Sequence, residues 1–564
     1  MSQSFARLVF AGTAAFFAVF FLWPVLQILQ GGFVDADGHV TLAYLAAVLR
    51  EPLYLAGLRN SFLLACAATL LAFALALPLA ALADRFVFPA KNLLGALVLV
   101  PMILPPFVGA IGIKQIFGQY GAANALLQHL HLLAPDRTID WFALHQFWGV
   151  AVVEALSLYP IVYLNAIAAL ANLDPALDEA AQNLGCTGLR RFWKITLPLI
   201  RPGLFAGGTI VFIWAFTELG TPLVFDYDRV TSVQIYYGLR DIGGNPFPFA
   251  LVAVMLFSSV ALYAVGKGLF GRDAHAMMAK ATSSGGARPL PRGRAWLCTA
   301  LFAGVTFVAV LPHLGVILIA CSRDWYATVL PHGWTLENFR LALGHDLTVP
   351  AIANSLRFAS VSAVVDVVLG VAIAYVIVRS RLVGRHALDF LAMLPLAVPG
   401  LVLAFGYLAM AQDGKFFAFL NPVRNPTVLL IVAYSIRRLP YVVRSAAAGF
   451  QQTSETLEEA AQNLGCPPLK AVAKITLPLI AANLIAGGLL AFAFAMLEVS
   501  DSLVLAQKQA FYPITKAIME LVQLLGDGKF LASALGTWAM VFLGVTIVGL
   551  GLLLGKKLGA IFRV

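Results

Sequence analysis

The sequence predicts an all-α polytopic membrane protein with about twelve transmembrane helices, arranged as two parallel pseudo-repeats of six helices. Three observations support this prediction. The chain of 564 residues is 60% hydrophobic and only 12% charged, whereas a soluble domain is about half apolar and a quarter charged. Its apolar residues form runs of the ~20 residues that a helix needs to cross a bilayer. One polar block also occurs twice, at matching places in the two halves.

Twelve apolar runs define the predicted membrane helices. In the first half they lie near 8–30, 58–83, 92–117, 143–170, 203–225 and 247–269. In the second half they lie near 296–320, 354–379, 386–411, 426–449, 482–505 and 529–555. An even number of spans per half points both halves the same way across the membrane. We therefore expect a first half at 1–270, a linker at 271–294 and a second half at 295–564.

Loop charge predicts that both termini are cytoplasmic. A net charge of +10 would suggest nucleic-acid binding in a soluble protein, but Lys and Arg also collect in the cytoplasmic loops of membrane proteins. Basic residues occur in the loops that the span order places inside, namely Arg85, Lys91, Arg190, Arg191, Lys194, Arg201, Arg379, Arg381, Arg385, Lys470, Lys474, Lys556 and Lys557. We expect no nucleic-acid partner, contact with membrane lipid, and a flexible cytoplasmic linker.

The repeated block is polar and identical in its two copies. Glu179–Cys186 (EAAQNLGC) recurs as Glu459–Cys466, and Lys194–Ile200 (KITLPLI) recurs as Lys474–Ile480. Both parts repeat at the same offset, because 459 − 179 = 280 and 474 − 194 = 280. The matched copies lie in the predicted cytoplasmic loop between the fourth and fifth helices of each half.

Each copy has the signals of a short helix that ends in a tight turn. Asp174 and Ser454 are suited to cap the helix, and a proline follows Asp174 at a position that favours a helix start. Gly185 and Gly465 suit a left-handed helix stop. A second short helix follows, and we expect Pro198 and Pro478 to break it before the next span.

Old duplication alone is the plainer explanation of these two loops. The neighbouring spans have diverged, however, while eight and then seven consecutive loop residues are identical. Loops usually vary more than the elements they join. A shared constraint, such as docking to two copies of one partner, explains the pattern better.

The two loops resemble the cytoplasmic signature of the permease subunits of binding-protein-dependent ABC importers: E-A-A, a glycine after three more residues, then I-x-L-P. The resemblance covers essentially the whole chain and implies the MetI-like type I fold. Two fused halves are similar to ferric-iron permeases, and also to 2-aminoethylphosphonate and thiamine permeases. The resemblance implies coupling helices at 174–186 and 454–466. The signature residues are Glu179, Ala180, Ala181, Gly185, Glu459, Ala460, Ala461 and Gly465.

The same resemblance implies a location and a set of partners. The protein is expected in the bacterial plasma membrane, with two copies of a cytoplasmic ABC ATPase and a periplasmic or extracellular substrate-binding protein. The chain has no G-x-x-x-x-G-K-[ST] motif, so we expect it not to be an enzyme. Sequence alone indicates no catalytic or metal site and no bound cofactor, and ATP and magnesium belong to the ATPase.

Charges inside the predicted spans are candidates for the transport pathway. Glu218 and Glu498 occupy the fifth helix of each half, 498 − 218 = 280 residues apart. The candidates are Glu154, Glu218, Arg437, Arg438, Glu498 and Asp501. The alternative is that they form ion pairs that hold the two halves together, with the long arginine side chains reaching toward the membrane surface. Arg437 and Arg438 point about 100° apart on a helix, so both are not expected to face one pore.

Two proline clusters, at 101–106 and 395–399, are expected to break the third and ninth helices. The substrate stays open at this point. A glutamate pair suits a cation such as ferric iron. An arginine pair suits an anion such as a phosphonate, or iron bound with a carrier anion. The resemblance favours ferric iron. The rival classes are an ion-gradient-driven secondary transporter, which does not explain two identical loops, and a membrane enzyme, which lacks a catalytic cluster.

Overall fold

A computed structural model describes residues 3–35, 37–142, 146–239, 245–270 and 288–554. The described chain is helical, with only four short strands. Eight of its helices are long and apolar enough to cross a membrane, and the number rises to eleven if each of three bent helix pairs counts as one span. The prediction of a helical membrane protein is confirmed, while the count of twelve stays a prediction.

The helices up to residue 270 follow the predicted runs closely. In chain order they are α1 (Gln3–Phe17), α2 (Trp23–Phe33), α3 (Ala43–Arg50), α4 (Pro52–Arg85), α5 (Lys91–Leu97), α6 (Pro106–Phe117), α7 (Ala122–His129), α8 (Gln146–Ala171), α9 (Pro175–Asn183), α10 (Gly188–Arg191), α11 (Leu197–Thr217), α12 (Gly220–Val224), α13 (Thr231–Gly238) and α14 (Phe247–Phe270).

The rest of the described chain has a similar order of elements. The helices are α15 (Arg292–Ala320), α16 (Glu337–Gly344), α17 (Thr348–Arg379), α18 (Arg385–Met393), α19 (Gly400–Met410), α20 (Thr427–Gln452), α21 (Thr456–Asn463), α22 (Pro468–Ala471), α23 (Leu477–Leu479), α24 (Ala481–Met496), α25 (Ser500–Leu505), α26 (Ile514–Val522) and α27 (Gly528–Leu554). Strands β1 (Phe86–Val87) and β2 (Arg288–Pro289) pair in parallel, and β3 (Ser322–Asp324) and β4 (His332–Trp334) pair antiparallel.

Shorter turns complete the regular structure. Single π-helical turns occur at Ala18–Leu22, Phe192–Thr196 and Val472–Thr476, and 3₁₀ turns occur at Val100–Ile103, Leu394–Ala397, Ala418–Leu420 and Gln509–Phe511.

The predicted breaks of the third and ninth helices are confirmed. The chain bends by 97° between Lys91–Ile103 and Pro106–His129, and by 100° between Arg385–Ala397 and Gly400–Met410. Proline lacks the N–H of a helical hydrogen bond, and its ring disfavours helical backbone at the preceding residue. The two proline clusters therefore turn the chain sharply at matching places in each half.

The fifth helices differ from the prediction of continuous runs at 203–225 and 482–505. Helix α11 ends at Thr217 and a new short helix, α12, begins at Gly220; α24 ends at Met496 and α25 begins at Ser500. The apolar composition continues across both breaks, so hydropathy alone gave no sign of them. At each break a glutamate side chain accepts from an N–H of the short helix that follows.

The prediction that Pro198 breaks a helix is wrong. The helical span continues from Phe192 to Thr217, because the proline lies at the first positions of α11, directly after a π-helical turn, where its missing N–H does little harm. In the second copy a bend of 76° does separate Pro468–Leu479 from Ala481–Met496. The sequence Leu-Pro-Leu is therefore followed by a continuous helix in the first copy and by a bend in the second.

Two compact units make up the chain, and each contains a segment from the other sequence half. The second-half unit comprises Met1–Leu55, Gln234–Phe257 and Phe339–Phe562. The first-half unit comprises Ala56–Val233, Ser258–Asn338 and the last two residues. The predicted boundaries at 270 and 295 stay predictions. Helices α1 and α2 nevertheless belong to the second-half unit, and α15 belongs to the first-half unit.

In the first-half unit, α15 packs against α6 and α8. A Cβ at Gly109 of α6 would lie 3.0 Å from the Cβ of Pro312 of α15, so the two helices approach as closely as glycine allows. The core of this unit also contains buried alanines of α4 at helical spacing, Ala65, Ala68, Ala72, Ala76 and Ala80. Small residues let neighbouring helix backbones come close in a membrane.

In the second-half unit, α2 packs against α19 in the corresponding way. A Cβ at Gly406 would lie 2.8 Å from the Cβ of Pro24, and the Tyr407 hydroxyl donates to the Phe20 carbonyl at 2.7 Å. Helices α17, α20 and α24 pack on one another. In each unit, the first helix of the other sequence half therefore packs against a helix of that unit, with a glycine in contact with a proline.

Residues 271–287 of the predicted linker at 271–294 lie outside the described residues, so the linker stays a prediction. The following residues form β2, which pairs with β1, and α15 already begins at Arg292. Basic and proline-containing composition suggested a flexible segment there, but proline at the start of a helix and in a short edge strand is compatible with regular structure.

Candidate functional site

The first copy of the repeated loop forms the predicted helix and glycine stop. Helix α9 is capped by Asp174, whose side chain accepts from the Ala176 N–H at 2.9 Å. Gly185 has φ +74°, its N–H donates to the Gln182 carbonyl, and the Cys186 N–H donates to the Ala181 carbonyl. This is the left-handed glycine stop that leaves few helix carbonyls unpaired.

The second copy makes the same backbone contacts. Helix α21 ends at Gly465 with φ +85°, and the N–H groups of Gly465 and Cys466 donate to the carbonyls of Gln462 and Ala461 at 2.9 and 3.0 Å. The Ser454 hydroxyl accepts from the Thr456 N–H at 3.3 Å. The glycine stops are confirmed in both copies. The capping differs, because α21 begins at Thr456 after Glu455, which makes no side-chain capping bond, whereas Asp174 caps α9 directly. The role of the two helices in coupling stays a prediction.

The signature side chains are mostly exposed where they are described. Ala180, Glu459, Ala460 and both glycines are exposed, whereas Ala181 is buried against the protein. The side chain of Glu179 lies outside the described residues. An added Cβ at either glycine would meet nothing within 4 Å. Backbone conformation, and not crowding, therefore explains the glycines.

Sequence reasoning missed a pair of exposed leucines in each loop. Leu184 and Leu464, the residues before the glycines, are 86% and 90% exposed, and Leu177 and Leu457 lie seven residues earlier with about half of their surface exposed. These large exposed apolar side chains lie at matching positions of the two loops. The signal was present in the sequence as two leucines seven residues apart, one face of a helix.

Helix α21 is held to the membrane helices by a buried carboxylate. Glu458 is only 5% exposed and accepts from the Thr476 hydroxyl at 2.8 Å and from the Tyr375 hydroxyl at 3.3 Å. Arg379, at the end of α17, lies 3.5 Å from Glu458 and 3.3 Å from Glu455. Glu458 therefore anchors α21 to the membrane helices. The side chain of its neighbour Glu459 is exposed and so remains accessible.

The first loop has an arginine at the matching position. Arg85 ends α4, corresponds to Arg379 at an offset of 294, and donates to the Thr196 hydroxyl at 2.8 Å. Thr196 corresponds to Thr476 at an offset of 280. Both loops are thus tied to the cytoplasmic end of the second helix of their half by an arginine, a connection that the sequence pattern did not reveal.

Four of the predicted membrane charges form one cluster in the second-half unit. The guanidinium group of Arg437 lies 2.6 Å from Oε1 of Glu498 and 3.4 Å from Asp501. Arg438 pairs with the other oxygen of Glu498. Although their Cα positions differ by about 100° around the helix, the two long side chains converge on one carboxylate. These four residues therefore form ion pairs, but the pairs join helices of the same half and do not join the two halves as the alternative predicted.

In the first-half unit, Glu154 has a different environment from that of Glu498. Glu154 has no exposed surface, and neither of its carboxylate oxygens has a hydrogen-bond partner in the described part of the chain. It interacts electrostatically with the half-buried Glu218. An ionised carboxylate buried in this way is costly, so its environment differs from that of Glu498.

The repeated glutamates share a structural contact that explains the helix breaks. Oε1 of Glu218 accepts from the Thr221 N–H at 3.3 Å, and Oε1 of Glu498 accepts from the Asp501 N–H at 3.4 Å. Each carboxylate thereby satisfies an N–H at the start of the short helix that follows. The Ser232 and Thr515 hydroxyls donate to the backbone carbonyls of the same glutamates, each at 2.6 Å.

Comparison with known families gives two matches to one family within this chain. The family described as "Binding-protein-dependent transport system inner membrane component" matches residues 73–275 and 366–554, together more than half of the chain. Each matched stretch contains one copy of the repeated loop.

Curated relatives that match most of this chain include ferric transport permeases. A ferric transport system permease protein of Actinobacillus pleuropneumoniae is 26% identical over 504 residues, which cover 85% of this chain and 69% of that protein. An Fe(3+)-transport system permease protein of Haemophilus influenzae is 24% identical over 455 residues, which cover 79% of this chain and 80% of that protein.

More distant matches cover one half of the chain. A sulfate transport system permease protein of Salmonella typhimurium is 29% identical over 220 residues, which cover 38% of this chain and 76% of that protein. A solved structure of a bacterial ABC transporter involved in the import of the acidic polysaccharide alginate matches 46% of this chain and 94% of that chain, at 16% identity and a TM-score of 0.34.

Proposed function

Because the chain belongs to the family of binding-protein-dependent transport system inner membrane components, we propose that it imports ferric iron with two copies of an ATPase and an external binding protein. The chain is the inner-membrane permease of an ABC importer. The proposal adds to that assignment twelve membrane spans, cytoplasmic termini and alternating access.

Two identical docking surfaces support two copies of one ATPase. Each loop ends in the same glycine stop, and each exposes a leucine next to that glycine, Leu184 in one copy and Leu464 in the other. An isolated membrane subunit gains nothing from an exposed leucine, whereas a cleft on a partner would bury it with a gain of about 1.5–3 kcal/mol. ATP and magnesium belong to that partner under this proposal.

Twelve spans result if α20 also crosses the membrane. It has the length to do so, at 26 residues, but Arg437, Arg438 and Arg444 reduce its apolar character. Its counterpart at an offset of 280 is α8, which is among the eight apolar spans. Two of the three arginines are neutralised by Glu498 and Asp501, which lowers the cost of placing them inside a membrane. Both termini are then cytoplasmic.

Ferric iron is supported by the relatives and by the charges. The curated ferric permeases match most of this chain, whereas the sulfate permease matches one half. The arginine pair, which on sequence alone suited an anion, is occupied by Glu498 and Asp501. In the first-half unit the carboxyl group of Glu154 has no hydrogen-bond partner among the described residues, and an acidic group of this kind inside a membrane is a candidate ligand for a cation.

The mechanism we propose is alternating access driven from the loops. A loaded binding protein docks outside, and ATP closes the ATPase dimer around α9 and α21. Their movement reaches the membrane helices through the contacts of Glu458 with Arg379 on α17 and through the contact of Arg85 with Thr196. The two units then open the pathway toward the binding protein, and hydrolysis resets them.

The test is uptake by the complete system in proteoliposomes. The chain is reconstituted with the ATPase and the binding protein encoded beside it, and radiolabelled ferric iron, sulfate, phosphonate and thiamine are offered in parallel. We expect iron uptake that requires ATP and both partners and that survives an uncoupler. Uptake of another solute with no uptake of iron would replace the substrate, and uptake that an uncoupler abolishes while ATP is maintained would replace the mechanism.

A further inference from the structure

A groove of about 360 Å³ opens on one side of the first-half unit. It lies between α4, α11 and α14, and its walls are almost entirely apolar, formed by side chains such as Phe73, Phe205, Phe212 and Leu262. A volume of this size falls within the range of ligand sites in proteins. None of the candidate pathway residues lines it.

One basic residue stands at the end of this apolar groove. Arg201 lines the groove and is exposed, and no described residue pairs with it. Lys194 is also exposed and lies seven residues earlier in the chain, in the π-helical turn that precedes α11. Positive charge thus occurs at one end of the groove, and its other end is apolar.

The length of the groove corresponds to one leaflet of a bilayer. From Arg201 to Ile213 along α11 is twelve residues, or about 18 Å at 1.5 Å per residue. Half of the ~30 Å hydrocarbon core is about 15 Å. When the loops face the cytoplasm, Arg201 lies at the cytoplasmic surface and the apolar part of the groove ends near the middle of the membrane.

The second copy has kept the lysine but not the arginine. At the offset of 280, Lys194 corresponds to Lys474 and Arg201 corresponds to Ala481. The helix also bends by 76° beside that alanine, where the first copy runs straight. The arginine at the end of the groove therefore occurs in only one of the two copies, unlike the identical loop residues. The docking of two equal ATPase subunits does not account for it.

From this geometry we propose that the groove binds one anionic phospholipid of the cytoplasmic leaflet. Its phosphate contacts Arg201, with Lys194 adding positive potential, and one acyl chain lies in the groove between α4, α11 and α14. Basic pockets between membrane helices on the cytoplasmic side recognise anionic headgroups in this way. The choice of leaflet rests on the proposed function, which places the loops in the cytoplasm, but binding of the lipid itself does not.

Native mass spectrometry of the purified full chain tests the proposal. Phosphatidylglycerol and phosphatidylcholine with the same acyl chains are added in equal amounts. We expect one phosphatidylglycerol to be retained in preference to phosphatidylcholine, and Arg201→Ala to lower its retention about fivefold, the change expected for one basic residue near an anionic membrane surface. Arg190→Ala removes the same charge from the same loop outside the groove and is expected to leave retention unchanged.

A second variant tests the groove apart from the charge. Thr209→Trp places a large side chain in the groove and is expected to lower retention of both lipids, with gel filtration confirming that the variant is folded. Equal retention of the two lipids in the wild type, or unchanged retention in Arg201→Ala, would overturn the proposal, as would retention that Arg190→Ala lowers equally. Thiol labelling of Cys186 from each side of the membrane reports the orientation separately.

Discussion

The two repeated loops are alike within this chain, whereas the two sets of membrane charges differ. The loops keep two blocks of identical residues and the same left-handed glycine stop. In the membrane, Arg437 and Arg438 correspond to Ser157 and Leu158 at the offset of 280, and Asp501 corresponds to Thr221. Only the glutamates at 218 and 498 are shared.

Under the proposed function, this difference separates the loops that contact the partners from the groups inside the membrane. Two equal loops fit two equal partners. Unequal charges give the second-half unit an ion-paired cluster around Glu498, while the first-half unit holds the unpaired carboxylate of Glu154. The second-half unit also contains buried Asp366, which interacts with Arg438 and corresponds to Ala72 at the offset of 294. The two units are alike in fold and unlike in electrostatics.

The largest effect is expected from Glu498→Gln, since this change leaves two arginines without their main partner. Removing one member of a buried ion pair costs about 3–5 kcal/mol. Glu154→Gln, in the other unit, removes a charge that has no hydrogen-bond partner among the described residues and is expected to be neutral or stabilising. Thermal unfolding in detergent measures the stability of both variants. Equal losses of stability in the two variants would contradict an electrostatic difference between the units.

A smaller loss is expected from Glu458→Gln in the second loop. The carboxylate accepts from Thr476 and Tyr375 and pairs with Arg379, and a hydrogen bond to a charged group contributes about 1.5–3 kcal/mol. We expect faster amide hydrogen exchange in α21 and weaker coupling of ATP hydrolysis to uptake. Glu459→Gln, at the exposed neighbour, is the matched control and should leave exchange in the free permease unchanged. Protection of α21 in both variants would argue against the anchor.

Leu184→Ser and Leu464→Ser test whether the loops serve equal partners. Each change removes an exposed side chain, so the stability of the permease should stay within about 0.5 kcal/mol. Loss of a leucine from a buried interface corresponds to about 1.5–3 kcal/mol, or at least about tenfold in affinity. We expect the two variants to weaken ATPase binding equally in a pull-down titration. Clearly unequal effects would indicate two different partners.

The smallest effect is expected at the glycine stops. In Gly185→Val or Gly465→Val the backbone must hold a left-handed conformation that a β-branched residue resists, at a cost of about 1–2 kcal/mol. No crowding adds to it, because neither site has an atom within 4 Å of an added Cβ. Insertion into the membrane should persist, and ATPase assembly should weaken.

Gly414→Val is the control for this strain. Gly414 has φ +85° and equally open surroundings, but it lies outside the repeated loops. It should match the two loop variants in stability and leave ATPase assembly intact. If it weakened assembly as much as they do, the loops would lose their special role.

Much of the architecture could be predicted because hydrophobic length and proline act locally. The apolar runs located the helices to within several residues, and the proline clusters located the bends of 97° and 100°. Capping residues and glycines predicted both loops. The breaks after Thr217 and Met496 were not predictable in this way, because each is stabilised by a glutamate side chain that reaches an N–H beyond an otherwise apolar run.

The residues of the candidate site divide in the same manner. The loop residues were found because repetition is visible in the sequence. The convergence of Arg437 and Arg438 on Glu498 was missed, since helical geometry alone points them about 100° apart and ignores the reach of their side chains. Leu177, Leu184, Leu457 and Leu464 were passed over because exposure is a property of the folded chain.

The sequence by itself determined that this protein is helical, lies in a membrane, and carries two equal capped loops. These properties depend on composition, on periodicity and on contacts within about five residues. Tertiary structure alone decided that α1, α2 and α15 pack with the opposite half, and that one shared glutamate is paired while Glu154 remains without a hydrogen-bond partner among the described residues. Such choices depend on close approach between distant segments, where a glycine against a proline or an arginine beside a carboxylate matters only once the helices have met.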